Sequence, residues 1–138
     1  MNRTYLLDTC AVIWMTHNQT LAPEAVVALQ NYGSGDLSIS VSTATAWEMA
    51  MLLTKSRIRE TRTAKSWYDE FRRDSGALEL PVTADIFMAS CSLPNLVHKD
   101  PIDRILIATA REHDLTIITR DRAILSYGVA GHVRTLAC

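Results

Sequence analysis

Cysteine is scarce in this chain of 138 residues: Cys10, Cys91 and Cys138 form an odd set without C-x-x-C spacing. That scarcity argues against a disulfide framework or a cysteine-built zinc site and fits a reducing compartment. Long hydrophobic runs are missing as well. The N-terminal apolar stretch is broken by Asp8, and no later one nears the ~18 uncharged residues of a membrane span, so the expected location is the cytoplasm. The formal net charge of −1 points to no class of partner. No internal repeat, low-complexity tract or linker-like change of composition interrupts the sequence. What is present is ordinary globular material, 48% hydrophobic and 21% charged. A single domain over residues 1–138 is expected, burying roughly 68–70% of its extended-chain surface.

Tyr5 to Leu7 reads as a short buried strand and Ala11 to Met15 as a helix directly after it, with Asp8 at the junction. Pro23 suits the first turn of a helix through Leu29, and Gly33-Ser-Gly-Asp36 marks a turn before a strand from Leu37 to Ser40. Ser42 and Thr43 are candidate caps for a helix carrying Trp47, Glu48, Met51 and Leu52, and a surface helix follows from Ala64 to Arg73. Leu78 to Val82 reads as a strand, and Thr83 caps a helix through Cys91 that Pro94 ends. Asp100 at the cap and Pro101 at the first helical position open a helix to about His113. Leu115 to Thr119 is strand-like, Tyr127-Gly128 reads as a turn, and Val133 to Leu136 as an edge strand. Strands alternating with helices predict a three-layer α/β/α sandwich with a mainly parallel sheet, which binds ligands beyond its strands' carboxyl ends.

Asp8, Glu48, Asp103 and Asp121 lie in or beside apolar segments, where an ionised carboxylate needs a partner. Each has a structural alternative: Asp8 and Asp121 can cap the turns that follow them, and Asp103 can complement a helix dipole. Glu48 is harder to dismiss, because Ala44, Thr45, Met51 and Leu52 surround it at helical spacing. Two unit charges ~4 Å apart repel by about 4 kcal/mol at an effective dielectric of 20, so four gathered acids need a cation or protons. An all-oxygen set suits Mg²⁺ or Mn²⁺ better than zinc, and such an ion supports phosphate chemistry. His17, His98, His113 and His132 show no ligand spacing and read as structural or surface residues. Trp14, Trp47 and Trp67 read as packing groups.

Four segments together carry a resemblance: Leu6-Leu-Asp8-Thr9, Ser42-x-x-Thr45-x-Trp47-Glu48, His98-x-Asp100-Pro-x-Asp103-Arg104 and Thr119-x-Asp121. In order and spacing they resemble the successive motifs of the PIN domain, specifically of VapC-type toxins from toxin–antitoxin pairs. The resemblance implies a PIN-like fold over nearly the whole chain. It also implies a Mg²⁺- or Mn²⁺-dependent endoribonuclease, usually dimeric, that a cognate VapB antitoxin inhibits. Its RNA products would carry a 5′-phosphate and a 3′-hydroxyl. Carried over, the acidic site is Asp8, Glu48, Asp103 and Asp121. Asp8 and Asp103 are the first choices as direct metal ligands, and Glu48 and Asp121 act directly or through water. Thr119 would orient Asp121 or a water on the metal, and Asp100 serves as a helix cap or supports the site from behind. Cys10 departs from the pattern, standing where related toxins often carry histidine.

The segment from Lys55 to Arg73 holds seven of the 14 basic residues, against Glu60, Asp69 and Glu70. Arg57, Arg59 and Arg62 are therefore candidates for RNA phosphate contacts, the alternative being a solvated face. Two other classes of function compete with the ribonuclease reading. An aspartate-based phosphatase of the haloacid-dehalogenase type needs Asp-x-Asp after the first strand, and Asp8-Thr9-Cys10 lacks the second acid; a phospho-acceptor receiver needs a late lysine, and none follows Lys99. A non-catalytic RNA- or protein-binding PIN-like domain has no physical reason to keep four mutually repelling acids.

Overall fold

The computed structural model describes residues 3–17, 23, 25, 37–95 and 98–138. Five strands form one wholly parallel sheet: β1 (Arg3–Leu7), β2 (Leu37–Ser42), β3 (Leu78–Leu80), β4 (Thr116–Thr119) and β5 (Arg134–Ala137), in the order β3-β2-β1-β4-β5. Six helices alternate with them among the described residues: α1 (Thr9–Thr16), α2 (Thr43–Thr54), α3 (Ala64–Ser75), α4 (Ala84–Cys91), α5 (Pro101–His113) and α6 (Arg122–Val129). The expected helix from Pro23 to Leu29 and the turn at residues 33–36 lie outside the described residues, except that Pro23 and Ala25 are helical.

Strand side chains alternate between the faces of the sheet and so build two cores. Tyr5, Leu7 and Ile118 pack with Val12, Met49, Trp67 and Phe71 on one side. Leu6 and Ile117 pack with Ile86, Leu106, Ile107 and Ile124 on the other. Leu6, Leu7, Ile117 and Ile118 are all fully buried, and each such burial contributes about 1.5–3 kcal/mol. Both faces of the sheet are thus covered, and the three-layer architecture expected from the sequence is the one observed.

Side-chain caps fix where each helix starts. Ser42 accepts from Ala44 N, Thr63 from Ser66 N, Thr83 from Ile86 N and Asp121 from Ile124 N, each meeting an amide that has no partner inside its helix. Two local expectations differ from the structure. β3 ends at Leu80, because Pro81 has no amide hydrogen to donate and Val82 N turns to Thr43 Oγ1 at 3.1 Å. Tyr127-Gly128 is no turn: α6 runs through it to Val129, and the chain reverses at Gly131 with φ +92°. Gly128 is there for close approach, since a Cβ on it would lie 2.8 Å from Thr135 Cγ2 on β5.

The chain places β2 and β3 on one side of β1, then crosses to place β4 and β5 on the other. This reversal opens a crevice at the carboxyl edge between β1 and β4. Leu7 is paired with both Val41 and Ile118, so the residues that follow, Asp8, Ser42 and Thr119, come out side by side at that edge.

Candidate active site

Asp8 leaves the end of β1, where its amide continues the sheet by donating to Ile118 O at 3.0 Å. Its side chain is 5% exposed. Oδ1 accepts from Thr9 N at 2.6 Å, and Oδ2 accepts from Thr119 Oγ1 at 2.6 Å and from Cys10 Sγ at 3.5 Å. Thr119 Oγ1 in turn accepts from Asp121 N at 3.0 Å. One hydroxyl therefore couples the acid after β1 to the backbone of the acid after β4. Asp121 starts α6, accepting from Ile124 N at 3.0 Å through Oδ1.

Asp103 sits in the first turn of α5 and is 9% exposed. Asp100 caps that helix, its Oδ1 accepting from Ile102 N at 2.9 Å and Asp103 N at 3.1 Å, which fixes Asp103 by its backbone. Glu48 lies half-buried on α2. The Thr9 hydroxyl shares a 3.2 Å hydrogen bond with Thr45 Oγ1 on the same helix and partly offsets the desolvation of the Glu48 carboxyl.

The electrostatics follow from burial. Desolvation is the first cause that raises the Asp8 and Glu48 carboxyls above their ordinary range, and the two acids also repel each other. Asp103 is pushed up to about 7, first by desolvation and then by Asp8, Asp100 and Asp121, against the lowering contact of His98. Burial and mutual repulsion thus favour the neutral form of these acids, and a bound cation would favour the ionised one.

His98 is the group that reading the sequence missed. Its Nε2 lies 2.7 Å from Asp103 Oδ2. Among the described residues, atoms of His98, Asp103 and Asp121 come within 4.8 Å of one another, a spacing that suits a metal ion; Asp8 and Glu48 stand back from this group. The four histidines have no ligand spacing among themselves, whereas the partner of His98 is an acid five positions on, in the first turn of α5. Thr9 and Thr45 were also missed as hydrogen-bonding partners, although each flanks a site acid at short spacing.

Other expected groups fall away from the site or change character. Arg62 donates to Glu60 Oε1 and Glu70 Oε2, at 2.6 Å each, and is already neutralised. Arg57 and Arg59 are exposed, and no ion pair found among the described residues involves them. Trp67 is fully buried, and Trp14 packs under the Arg120 guanidinium at 3.2 Å. Trp47, expected as a packing group, is 55% exposed: Ala44, Thr45 and Met49 take the buried side of α2, which turns residue 47 outward. Cys10, at the expected histidine position, touches Asp8 and the Cys138 side chain.

The PIN domain family model matches residues 5–129. This chain belongs to the PIN domain family. Ribonuclease VapC22 of Mycobacterium tuberculosis is 29% identical over 126 residues, spanning 90% of this chain and 92% of its own length. Two solved structures share the PIN fold. VapBC2 from Rickettsia felis, bound to a DNA fragment from its promoter, gives a TM-score of 0.71 at 13% identity, covering 97% of this chain and 98% of that one. DNA-bound VapBC from Salmonella typhimurium gives 0.66 at 15% identity, covering 99% and 98%. No helix among the described residues of this PIN domain is long and apolar enough to cross a membrane.

Proposed function

We propose that this chain, as a single PIN domain over residues 1–138, is a divalent-metal-dependent endoribonuclease and the toxin of a VapBC-type pair. The observation that carries the reading is the meeting of Asp103 and Asp121 beyond the carboxyl ends of β1 and β4, with Asp8 tied to the Asp121 backbone through the Thr119 hydroxyl. Their raised or mutually repelling carboxyls match the need for a cation. The donor chemistry fits Mg²⁺ or Mn²⁺: carboxylate oxygens predominate, and no cysteine belongs to the cluster. Asp103 keeps its expected place as a direct ligand, but Asp121 rather than Asp8 shares its cluster, so Asp103 and Asp121, with Asp8 and Glu48 directly or through water, would hold the ion, which supplies Lewis-acid activation of water and charge neutralisation at a phosphate.

The chain's own residues set the geometry. Thr119 and Cys10 hold Asp8 Oδ2 and the Thr9 amide holds Oδ1, which keeps a lone pair free. Asp100 holds the first turn of α5, so Asp103 stays aimed at Asp121. The buried surround keeps water from screening these charges, which strengthens their pull on a cation and their repulsion of an unaccompanied phosphodiester. Arg57 and Arg59, exposed and outside the ion pairs found among the described residues, would attract RNA phosphate. Exposed Trp47, Phe87 and Met88 offer apolar surface for the proposed partners, a VapB-type antitoxin and a second copy of the chain, in the cytoplasm.

Bulk RNA incubated with the purified protein should be cut in Mg²⁺ or Mn²⁺, giving 5′-phosphate and 3′-hydroxyl ends, and left intact in chelator. Sequencing those ends also gives the cleavage preference. RNA left intact with every divalent ion, while the protein still binds it, would turn the reading to a non-catalytic RNA-binding domain.

A further inference from the structure

We propose that His98 is itself a metal ligand, so that the site is a mixed nitrogen–oxygen centre made with Asp103 and Asp121 and selective for Mn²⁺ over Mg²⁺. The inference rests on the metal-dependent reading of this same site and goes beyond its acidic set. Two ligands of one ion, each roughly 2.0–2.2 Å from it, stand about 3 Å apart when adjacent and about 4.2 Å when opposed. His98 Nε2 lies 2.7 Å from Asp103 Oδ2, and one atom from each of His98, Asp103 and Asp121 falls within 4.8 Å of the others. The three groups therefore have ligand spacing without rearrangement of the backbone.

The backbone that carries the imidazole is also anchored. Arg104, next to Asp103 on α5, donates through Nη1 to His98 O at 3.0 Å and through Nε to Ser90 O at 2.8 Å. The helical turn that presents Asp103 thus anchors the backbone of His98, and the His98 side chain is only 25% exposed. Without an ion the ring and the Asp103 carboxylate satisfy each other. With an ion, Nε2 turns its lone pair to the metal and the proton resides on Nδ1. The consequence is selectivity. Mg²⁺ prefers oxygen and sheds water reluctantly, whereas an imidazole nitrogen strengthens binding of first-row transition ions.

Electron spin-echo spectroscopy of the purified full chain with one equivalent of Mn²⁺ tests this without any assay of cleavage. A directly bound imidazole gives ¹⁴N modulation that changes to a ¹⁵N pattern when the histidines are ¹⁵N-labelled and disappears in His98→Gln. By calorimetry His98→Gln should weaken Mn²⁺ binding about tenfold or more and Mg²⁺ binding by less than about threefold. Should His98→Gln fail to fold, His98→Asn repeats the comparison. Bound Mn²⁺ showing no imidazole coupling, or coupling that persists in the variant, overturns the assignment and leaves the metal-dependent reading standing. Failure of Mn²⁺ and Mg²⁺ to bind at all overturns both.

Discussion

Asp103 holds its proton to about pH 7 in the folded chain, against an ordinary value of about 3.9 for an unfolded aspartate. Below about pH 4 both states carry the proton and the fold loses nothing. As pH climbs from about 4 to 7 the unfolded chain ionises first, so stability falls, and above 7 the loss is complete. His98, raised chiefly by Asp103, acts in the same direction, since the stability of its charged form is lost as pH rises through its folded value. Asp103→Asn removes both contributions at nearly constant volume. In chelator its melting temperature should therefore exceed the parent's by an amount that grows from pH 4 to 7, the rise of Asp103 to about 7 corresponding to at most about 4 kcal/mol. Saturating Mg²⁺ should reverse the order, because the ion stabilises the parent more by binding its folded state. Melts across pH, with and without Mg²⁺, make the comparison; an equal loss under both conditions would make Asp103 a structural helix residue.

The contact between α6 and β5 depends on one missing side chain. Gly128→Ala would place a methyl 2.8 Å from Thr135 Cγ2, and overpacking of this kind costs about 1–3 kcal/mol. Thr135→Ala should restore much of the loss, so the double variant should be more stable than the sum of the single ones; denaturant unfolding of the four proteins measures the coupling. This glycine was misread as a turn because Gly in a sequence signals backbone freedom and close approach alike, and only the neighbouring strand separates them. The opposite case is α5. Asp100-Pro101 announced its start through two independent physical signals, a side-chain acceptor and a residue without an amide hydrogen, and the structure begins the helix there. The strands β1, β2 and β4 were legible for a similar reason, since short apolar runs beside turn residues leave few alternatives.

Long-range partners were the part of the molecule that local patterns could not disclose. Asp8, Glu48, Asp103 and Asp121 stood out because acids in apolar surroundings are conspicuous, but Thr119 bonds Asp8 only when β4 pairs with β1, and His98, whose contact with Asp103 is local, meets Asp121 only in the folded chain. The basic segment shows the same limit: Glu60 and Glu70 enclose Arg62, and no count of charges reveals which pairs form. That leaves Arg57 and Arg59 as the groups proposed to steer RNA. Arg57→Glu with Arg59→Glu should weaken RNA binding and lower its salt slope by about two, whereas Arg62→Glu should mainly reduce stability. Anisotropy across a salt series checks this, and an unchanged slope returns the segment to a solvated face. The central claim, that one carboxylate crevice both binds the ion and cleaves RNA, is tested most directly by Asp8→Asn. Its amide keeps the shape and an oxygen to accept from Thr9 N but removes the charge. The variant should show the parent's circular dichroism and no RNA cleavage in Mg²⁺; undiminished cleavage by the folded variant would contradict the account.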